Sequence, residues 1–281
     1  AIERVASRVG VDLSSARVAV IGASGSIGRL ASLMLARRVG HLTLVGNAQN
    51  THATKLLHRV ETEVIEVLAQ NVTTMRGGSL FHAVNELMRN GRGHATGDEV
   101  NQNRTGLVEA FKQACQVGKL APPLQSSTDI RSACSDADIV LIATSAEVAL
   151  IDPASLRPGT IVCDVARPQN VAPRDLSDTG VIVFDGGLVQ PPFKLDLGPF
   201  QTLPGNLCWG CLGETMLLTL EGETADYSIG RDLSLREADK IAAMARRHGF
   251  EPAEPQWYGE ILKDADFERV AAGVDRRSGV A

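Results

Sequence analysis

The sequence predicts an α/β protein built on a doubly wound, mostly parallel sheet with an inserted helical lobe. Three observations predict it. Residues 18–28 read VAVIGASGSIG, an apolar strand that enters a glycine-rich turn and passes at once into a helix-like run, Arg29–Leu35. Ala137–Thr144 (ADIVLIAT) is a second continuous apolar run of the kind that a strand buried on both faces requires. Shorter apolar runs, Thr160–Val165 and Val181–Phe184, alternate with turn or helical segments in the order of β-α-β units.

Taken in order, residues 2–9 read as the end of a helix, and Val11-Asp12-Leu13-Ser14 as a connector into a first strand at 17–21. A second strand follows at His41–Val45. From Thr54 to Ala69, apolar residues at Leu56, Leu57, Val60, Val64, Ile65 and Leu68 recur at helical spacing. The pattern returns at Phe81, Val84, Leu87 and Met88, and again at Leu107, Val108, Phe111 and Cys115, with loops expected at 76–78 and 90–103. This stretch, 54–125, is longer than an ordinary crossover. It reads as a helical insertion between 1–53 and 126–281, or equally as an elaborated crossover. Further on, Leu212, Met216, Leu217 and Leu220 share one face of a helix. Ser234–His248 opens with a Ser-x-x-Glu capping pattern and stops at Gly249. Residues 275–281 read as a frayed end.

The strand–glycine turn–helix order is what binding the pyrophosphate of a dinucleotide requires, and makes the expected fold Rossmann-type. Gly22 allows the tight turn, Gly25 lets the backbone approach the phosphates, and Gly28 lets helix and strand pack closely. Ser24, Ser26 and Ile27 complete the turn, and the helix N-terminus directs free N–H groups at the anion. Where NAD is bound, the second strand normally ends in Asp or Glu. Here it ends Val45-Gly46-Asn47-Ala48-Gln49-Asn50-Thr51, with no carboxylate. That favours NADPH over NADH, with Asn47, Thr51 and Lys55 around a 2′-phosphate. Thr144 and Ser145, past a buried strand, stand where a nicotinamide or ribose would pass, or simply turn the strand end.

Composition narrows the partners. The 281 residues are 44% hydrophobic and 22% charged, with a formal net charge of -5. A net negative chain offers no electrostatic reason for nucleic acid or an anionic membrane surface. No apolar run approaches the ~20 residues that a spanning helix needs. Cysteines at 115, 134, 163, 208 and 211 are odd in number and read as reduced thiols of a cytoplasmic protein. Of these, Cys211 follows Gly210 and opens a helix, where the dipole favours a thiolate nucleophile. The bland alternative is a buried apolar cysteine. Cys208 is a second nucleophile candidate, whereas Cys163 lies inside an apolar strand. The six histidines show no metal-type spacing, so no metal site is expected. His248, at a helix C-terminus, reads as structural. Glu214, one turn after Cys211, orients the site or caps the helix.

Several of these segments together resemble one family. Val11-Asp12-Leu13-Ser14 leading into VAVIGASGSIG is similar to the entry of the cofactor domain of cyanobacterial long-chain acyl-(acyl carrier protein) reductases. Asp164, Pro168 and Asn170 in DVARPQN, and Gly186, Gly187 and Val189 in DGGLV, fit as well. So do Cys211 through Leu218 with Glu221-Gly222, then Arg231 and His248-Gly249-Phe250. The resemblance spans about residues 5–50 and 135–250. It implies an enzyme that accepts an acyl group from an acyl-carrier protein or acyl-CoA onto Cys211 and reduces it with NADPH to an aldehyde. It also implies a cofactor role for Asp164. Three departures stand out: the family's N-terminal acyl-accommodating domain is not in this sequence, the family has a much shorter link where residues 54–125 lie, and its arginine after the second strand is replaced by Asn47. The competing expectations are a cysteine-independent dehydrogenase of a small carbonyl or hydroxy compound and a nucleotide-sensing module without chemistry. A homodimer is the base-rate expectation.

Overall fold

The computed structural model describes residues 1–70, 80–84, 111–113, 115, 122–198, 203, 205–230 and 233–278. Leu87, Met88, Leu107, Val108, Arg231, residues 279–281 and the loops expected at 76–78 and 90–103 lie outside them. A six-stranded, all-parallel sheet organises the chain. Its strands are β1 (Arg17–Ile21), β2 (His41–Val45), β3 (Leu124–Ser127), β4 (Ile139–Ile142), β5 (Ile161–Asp164) and β6 (Ile182–Asp185). They lie in the order β3-β2-β1-β4-β5-β6, which is the doubly wound order with its reversal between β1 and β4. The expected fold class is therefore the observed one.

Period-2 side-chain alternation assigns the two faces. Val18, Val20, Leu42, Leu44, Ile139 and Leu141 join one core, which α1 (Ile2–Arg8), α2 (Ser26–Ala36), α3 (Ala53–Gln70) and α7 (Asp264–Ser278) cover. Ala19, Ile21, Val140, Ile142, Val162 and Val183 join the other, with Cys134 of α4 (Ile130–Ser135) and the loop residues Ile151, Leu156 and Val171. Both faces are buried, which is why the strands read as unbroken apolar runs.

The region 54–125 occupies the β2–β3 crossover. Its α3 is amphipathic, and Leu57, Val60, Val64, Ile65 and Leu68 all pack into the first core. Leu80, Phe81, Val84, Phe111 and Cys115 reach the same core. Inside it, Glu61 is 2% exposed and accepts hydrogen bonds from Ser126 (2.6 Å) and Lys112 (3.1 Å), which satisfies a buried carboxylate and ties the region to β3.

The second half departs from the expected alternation. No α-helix stands between β4 and β5 or between β5 and β6, only a 3₁₀ turn at Pro153–Ser155. Pro153, Pro158, Pro168 and Pro173 fall in these crossovers, and each removes a donor that a helix would need. Past β6 comes a small antiparallel sheet of β7 (Leu188–Gln190), β8 (Cys208–Trp209) and β9 (Glu251–Pro252). It carries α5 (Gly210–Leu220) and α6 (Leu235–Arg247). A hairpin, β10 (Gln256–Trp257) and β11 (Glu260–Ile261), leads into α7. The end expected to fray at 275 instead continues α7 through Ser278. On α5 the expected apolar face is only partly covered: Leu217 is buried and Leu220 exposed.

Candidate functional site

The site builds outward from the reversal point. Ile21 is in register with Ile142, so the turns after β1 and β4 emerge side by side. Gly22 adopts φ +81°, and a Cβ there would stand 2.3 Å from the Ala143 carbonyl oxygen. A Cβ on Gly28 would stand 2.1 Å from the Gly22 oxygen. Both positions are therefore closed to any side chain, and helix and strand approach as the motif requires. Gly25 differs. It is the N-cap of α2, with φ −78°, and a Cβ there would meet only the Gly22 oxygen, at 3.3 Å, and the Ala143 oxygen at 3.9 Å. With no side chain there, the backbone beside the first-turn N–H groups of Ser26, Ile27 and Gly28, which lack intrahelical partners, is open to an anion. This chain's residues thus fit a dinucleotide pyrophosphate.

Around the turn, Thr144 donates its hydroxyl to Asn170 Oδ1 and accepts from the Ala146 N–H at 3.1 Å. Ser145 is exposed beside it. Asn47 is exposed at the end of β2 and closes an Asx turn by accepting from the Gln49 N–H at 2.9 Å. Asp164 lies inside the fold. Its side chain is 0% exposed and accepts from the N–H groups of Ala166 (3.0 Å), Asn170 (2.7 Å) and Val171 (3.1 Å). It shapes the loop after β5, which includes the cis Arg167–Pro168 peptide. Burial nonetheless holds its carboxyl above the usual carboxylate range.

Cys211 stands in the first turn of α5 and is exposed, while the other four thiols are buried. Burial pushes Cys163 up to about 12, which makes it an inert core thiol, as expected. Cys208 lies beneath α5, and burial raises its thiol too. Cys208 and Cys211 have Cys-x-x-Cys spacing, with Cys208 buried and Cys211 exposed.

Two connections position the cysteine helix. First, the Gly210 N–H donates to the Gly187 oxygen at 2.8 Å, and the N-cap residue Trp209 lies 4.4 Å under the Arg167 guanidinium. Arg167 in turn pairs with Asp185, at the end of β6, at 2.9 Å. Second, the segment 222–230 turns back from α5 to the glycine turn. Ser228 donates to Glu214, one turn after Cys211, and Ser26 donates to the Gly230 oxygen at 3.4 Å. Three residues of chain, 228–230, thus connect α5 to the glycine turn. Glu214 is engaged in that bridge. His248 caps α6 and its Nε2 meets Glu221 at 2.7 Å, the structural role expected of it.

Sequence reasoning missed Arg167, Asp185 and Tyr258. Asp185 accepts from the Tyr258 N–H at 3.1 Å, and Tyr258 holds φ +49° in a two-residue hairpin turn. The signals were weak: Tyr-Gly is not a customary hairpin pair, and an Asp ending an apolar run reads as a strand end.

The geometry defines the class: a doubly wound α/β protein with a dinucleotide-type glycine turn and an exposed cysteine on a helix at the same edge of the sheet. No family model matches the chain. It is 24% identical over 257 residues to the long-chain acyl-[acyl-carrier-protein] reductase of Synechococcus elongatus, an alignment that covers 89% of this chain and 57% of the reductase. It is 32% identical over 135 residues to the aminotransferase PigE of a Serratia species, covering 47% of this chain and 15% of that protein. The chain therefore spans little more than half of one relative and a small part of the other. Among solved structures, Thermococcus litoralis Δ1-pyrroline-2-carboxylate reductase with NADH and L-proline gives a TM-score of 0.30 at 12% identity, covering 59% of this chain and 34% of that one. A GDP-mannose dehydrogenase from Pseudomonas aeruginosa gives 0.27 at 14%, covering 94% and 50%. At that distance neither speaks to what this chain binds. Among the described residues, no helix is long and apolar enough to cross a membrane.

Proposed function

We propose that this chain carries the cofactor site and nucleophile of an NADPH-dependent reductase that converts an acyl thioester to an aldehyde. The observation that carries this reading is the 228–230 bridge, which links the exposed Cys211 helix to the glycine turn through two hydrogen bonds. The alignment with the acyl-carrier-protein reductase over most of the chain supports the same reading. Cys211 attacks the carbonyl carbon of the thioester, from an acyl-carrier protein or acyl-CoA, and the carrier thiolate leaves with its electron pair. The first-turn position of Cys211 favours its thiolate through the helix dipole. Gly22, Ser24, Gly25, Ser26, Ile27 and Gly28 form the pyrophosphate cradle, with Asn47 at the adenosine end and Thr144 and Ser145 beside the reacting end. Bound NADPH supplies the hydride that reduces the acyl carbon. The collapsing oxyanion then expels the Cys211 thiolate and frees the aldehyde. Asp185 and Arg167 act indirectly, by fixing the Trp209 end of α5.

Intact-protein mass spectrometry with a panel of acyl-CoA and acyl-carrier thioesters, NADPH withheld, tests this. The expected result is an acyl adduct that maps to Cys211, disappears on adding NADPH and is missing from Cys211→Ala. A protein that binds NADPH yet reduces a carbonyl compound equally well as Cys211→Ala would overturn the cysteine mechanism in favour of a cysteine-independent dehydrogenase.

A further inference from the structure

The end of β2 lacks the residue that normally chooses between the two nicotinamide dinucleotides. Gly46-Asn47-Ala48 carries neither the carboxylate that would hold a ribose 2′-hydroxyl nor a cation for a 2′-phosphate. The fold brings a second element to this point. β3 pairs in register with β2, Val45 opposite Ser127, and the Gly46 N–H donates to the Ser127 oxygen at 2.9 Å. The turns that follow the two strands thus emerge together. An open groove of about 830 Å³ starts at Ala48, continues past Thr128 and Arg131, and reaches Leu150 beyond β4.

Among the described residues, Arg131 is the one cationic side chain lining this groove. It is exposed, and its guanidinium has no hydrogen bond or ion pair among the described residues. Two carboxylates also line the groove, and both are engaged. Asp129 caps α4 by accepting from the Ser132 N–H at 3.1 Å, and Asp152 pairs with Arg174 at 2.9 Å while accepting from the Ala154 N–H. Asn47 spends its side-chain oxygen on the Gln49 N–H, which leaves its amide N–H groups for an acceptor such as a phosphate oxygen. Lys55, in the first turn of α3, is exposed and does not line the groove.

We infer that Arg131 binds the 2′-phosphate of the dinucleotide, supplying from the β3 side the cation absent from β2. The inference rests on the dinucleotide reading of the glycine turn. It deepens that reading by naming the residue that makes the site prefer NADPH. A guanidinium suits the task because it presents paired donors to phosphate oxygens and stays charged.

Calorimetric titration of the whole chain with two cofactor fragments tests it without turnover: adenosine 2′,5′-bisphosphate and adenosine 5′-monophosphate. The unaltered protein is expected to bind the bisphosphate more tightly. Arg131→Ala should weaken the bisphosphate roughly tenfold to a hundredfold, as loss of a charge-assisted hydrogen-bonded contact does, and leave the monophosphate unchanged. Arg131→Lys should recover part of the loss. Because Arg131 is exposed and unpaired, thermal stability should not move. Equal weakening of both fragments by Arg131→Ala, no weakening of either, or equal affinity of the unaltered protein for both would overturn the assignment. Failure of the unaltered protein to bind either fragment, NADH or NADPH would instead remove the glycine-turn reading, and the assignment with it.

Discussion

The two halves of the sheet's carboxyl edge are built by different physics. On the β1 side, shape is set by backbone against backbone: Gly22 and Gly28 approach neighbouring oxygens closer than any Cβ allows. No polar side chain is needed to hold that turn. On the β5–β6 side, prolines exclude helices, and the loops are held by carboxylate oxygens receiving N–H groups. Asp164 takes three from the loop after β5, and Asp185 takes one from Tyr258 while pairing with Arg167. The first region therefore tolerates no added atom, whereas the second tolerates no lost oxygen. Each half contributes one part of the proposed chemistry: the closed turn holds phosphate, and the polar loops fix the end of the cysteine helix.

The sharpest way to break this contrast is Gly22→Ala. It forces an L side chain to φ +81°, at about 1–2 kcal/mol, and drives its methyl into the Ala143 oxygen, at about 1–3 kcal/mol more. A loss of roughly 2–5 kcal/mol in chemical denaturation is expected, together with loss of cofactor binding. Gly25→Ala is the milder comparison, because its φ is ordinary and its Cβ would press on the Gly22 backbone oxygen at 3.3 Å, a tight contact but far from the 2.3 Å clash at Gly22. It should cost clearly less stability than Gly22→Ala while weakening NADPH binding measured by fluorescence. If both variants lose stability alike, the division between packing glycine and phosphate glycine is wrong.

On the polar side, Asp164→Asn keeps the volume but turns one acceptor oxygen into a donor. At least one buried N–H of the Ala166–Val171 loop is then stranded, which costs about 1–3 kcal/mol. The pH dependence carries a sign. Burial raises the Asp164 carboxyl in the folded state. Its contribution is therefore fully present below the unfolded pKa and declines as pH rises through the folded one. Asp164→Asn should lack that decline. Denaturation across the mildly acidic range checks it, and parallel curves for the two proteins would count against Asp164 as the source.

How much was legible in the sequence follows the same division. Backbone-driven features were readable because they need particular residue types at fixed spacing. VAVIGASGSIG gave away β1, the turn and α2 within a few residues of their observed bounds. Strands buried on both faces announced themselves as apolar runs. Cys211 was found at its helix end by the glycine before it. β3 was not legible: Leu124-Gln125-Ser126-Ser127 has no apolar run, and tertiary pairing with β2 overrides its weak propensity. Asp164 was noticed, but its burial and its three loop N–H partners cannot be read from a residue's letter. The Arg167–Asp185–Trp209 link joins residues distant in sequence, and no local pattern encodes it.

The smallest expected effect sits where the cysteine helix meets α6. Glu221, the C-cap of α5, accepts from Arg247 at 2.6 Å and meets His248 Nε2 at 2.7 Å. The His248 hydrogen bond foremost, then the Arg247 charge and hydrogen bond, holds the Glu221 carboxyl below its ordinary value. The sign is therefore opposite to that of Asp164. Stability from Glu221 is present above the unfolded carboxylate pKa and is lost as pH falls through the lower, folded one. Glu221→Gln should lower the Tm slightly at neutral pH, and the gap from the unaltered protein should close in acid. Because the pair faces solvent, added salt should also narrow the gap at neutral pH. A gap that survives both acid and salt would mean that Glu221 joins the two helices through its packing and neutral hydrogen bonding. Both regions would then be held by shape more than by charge.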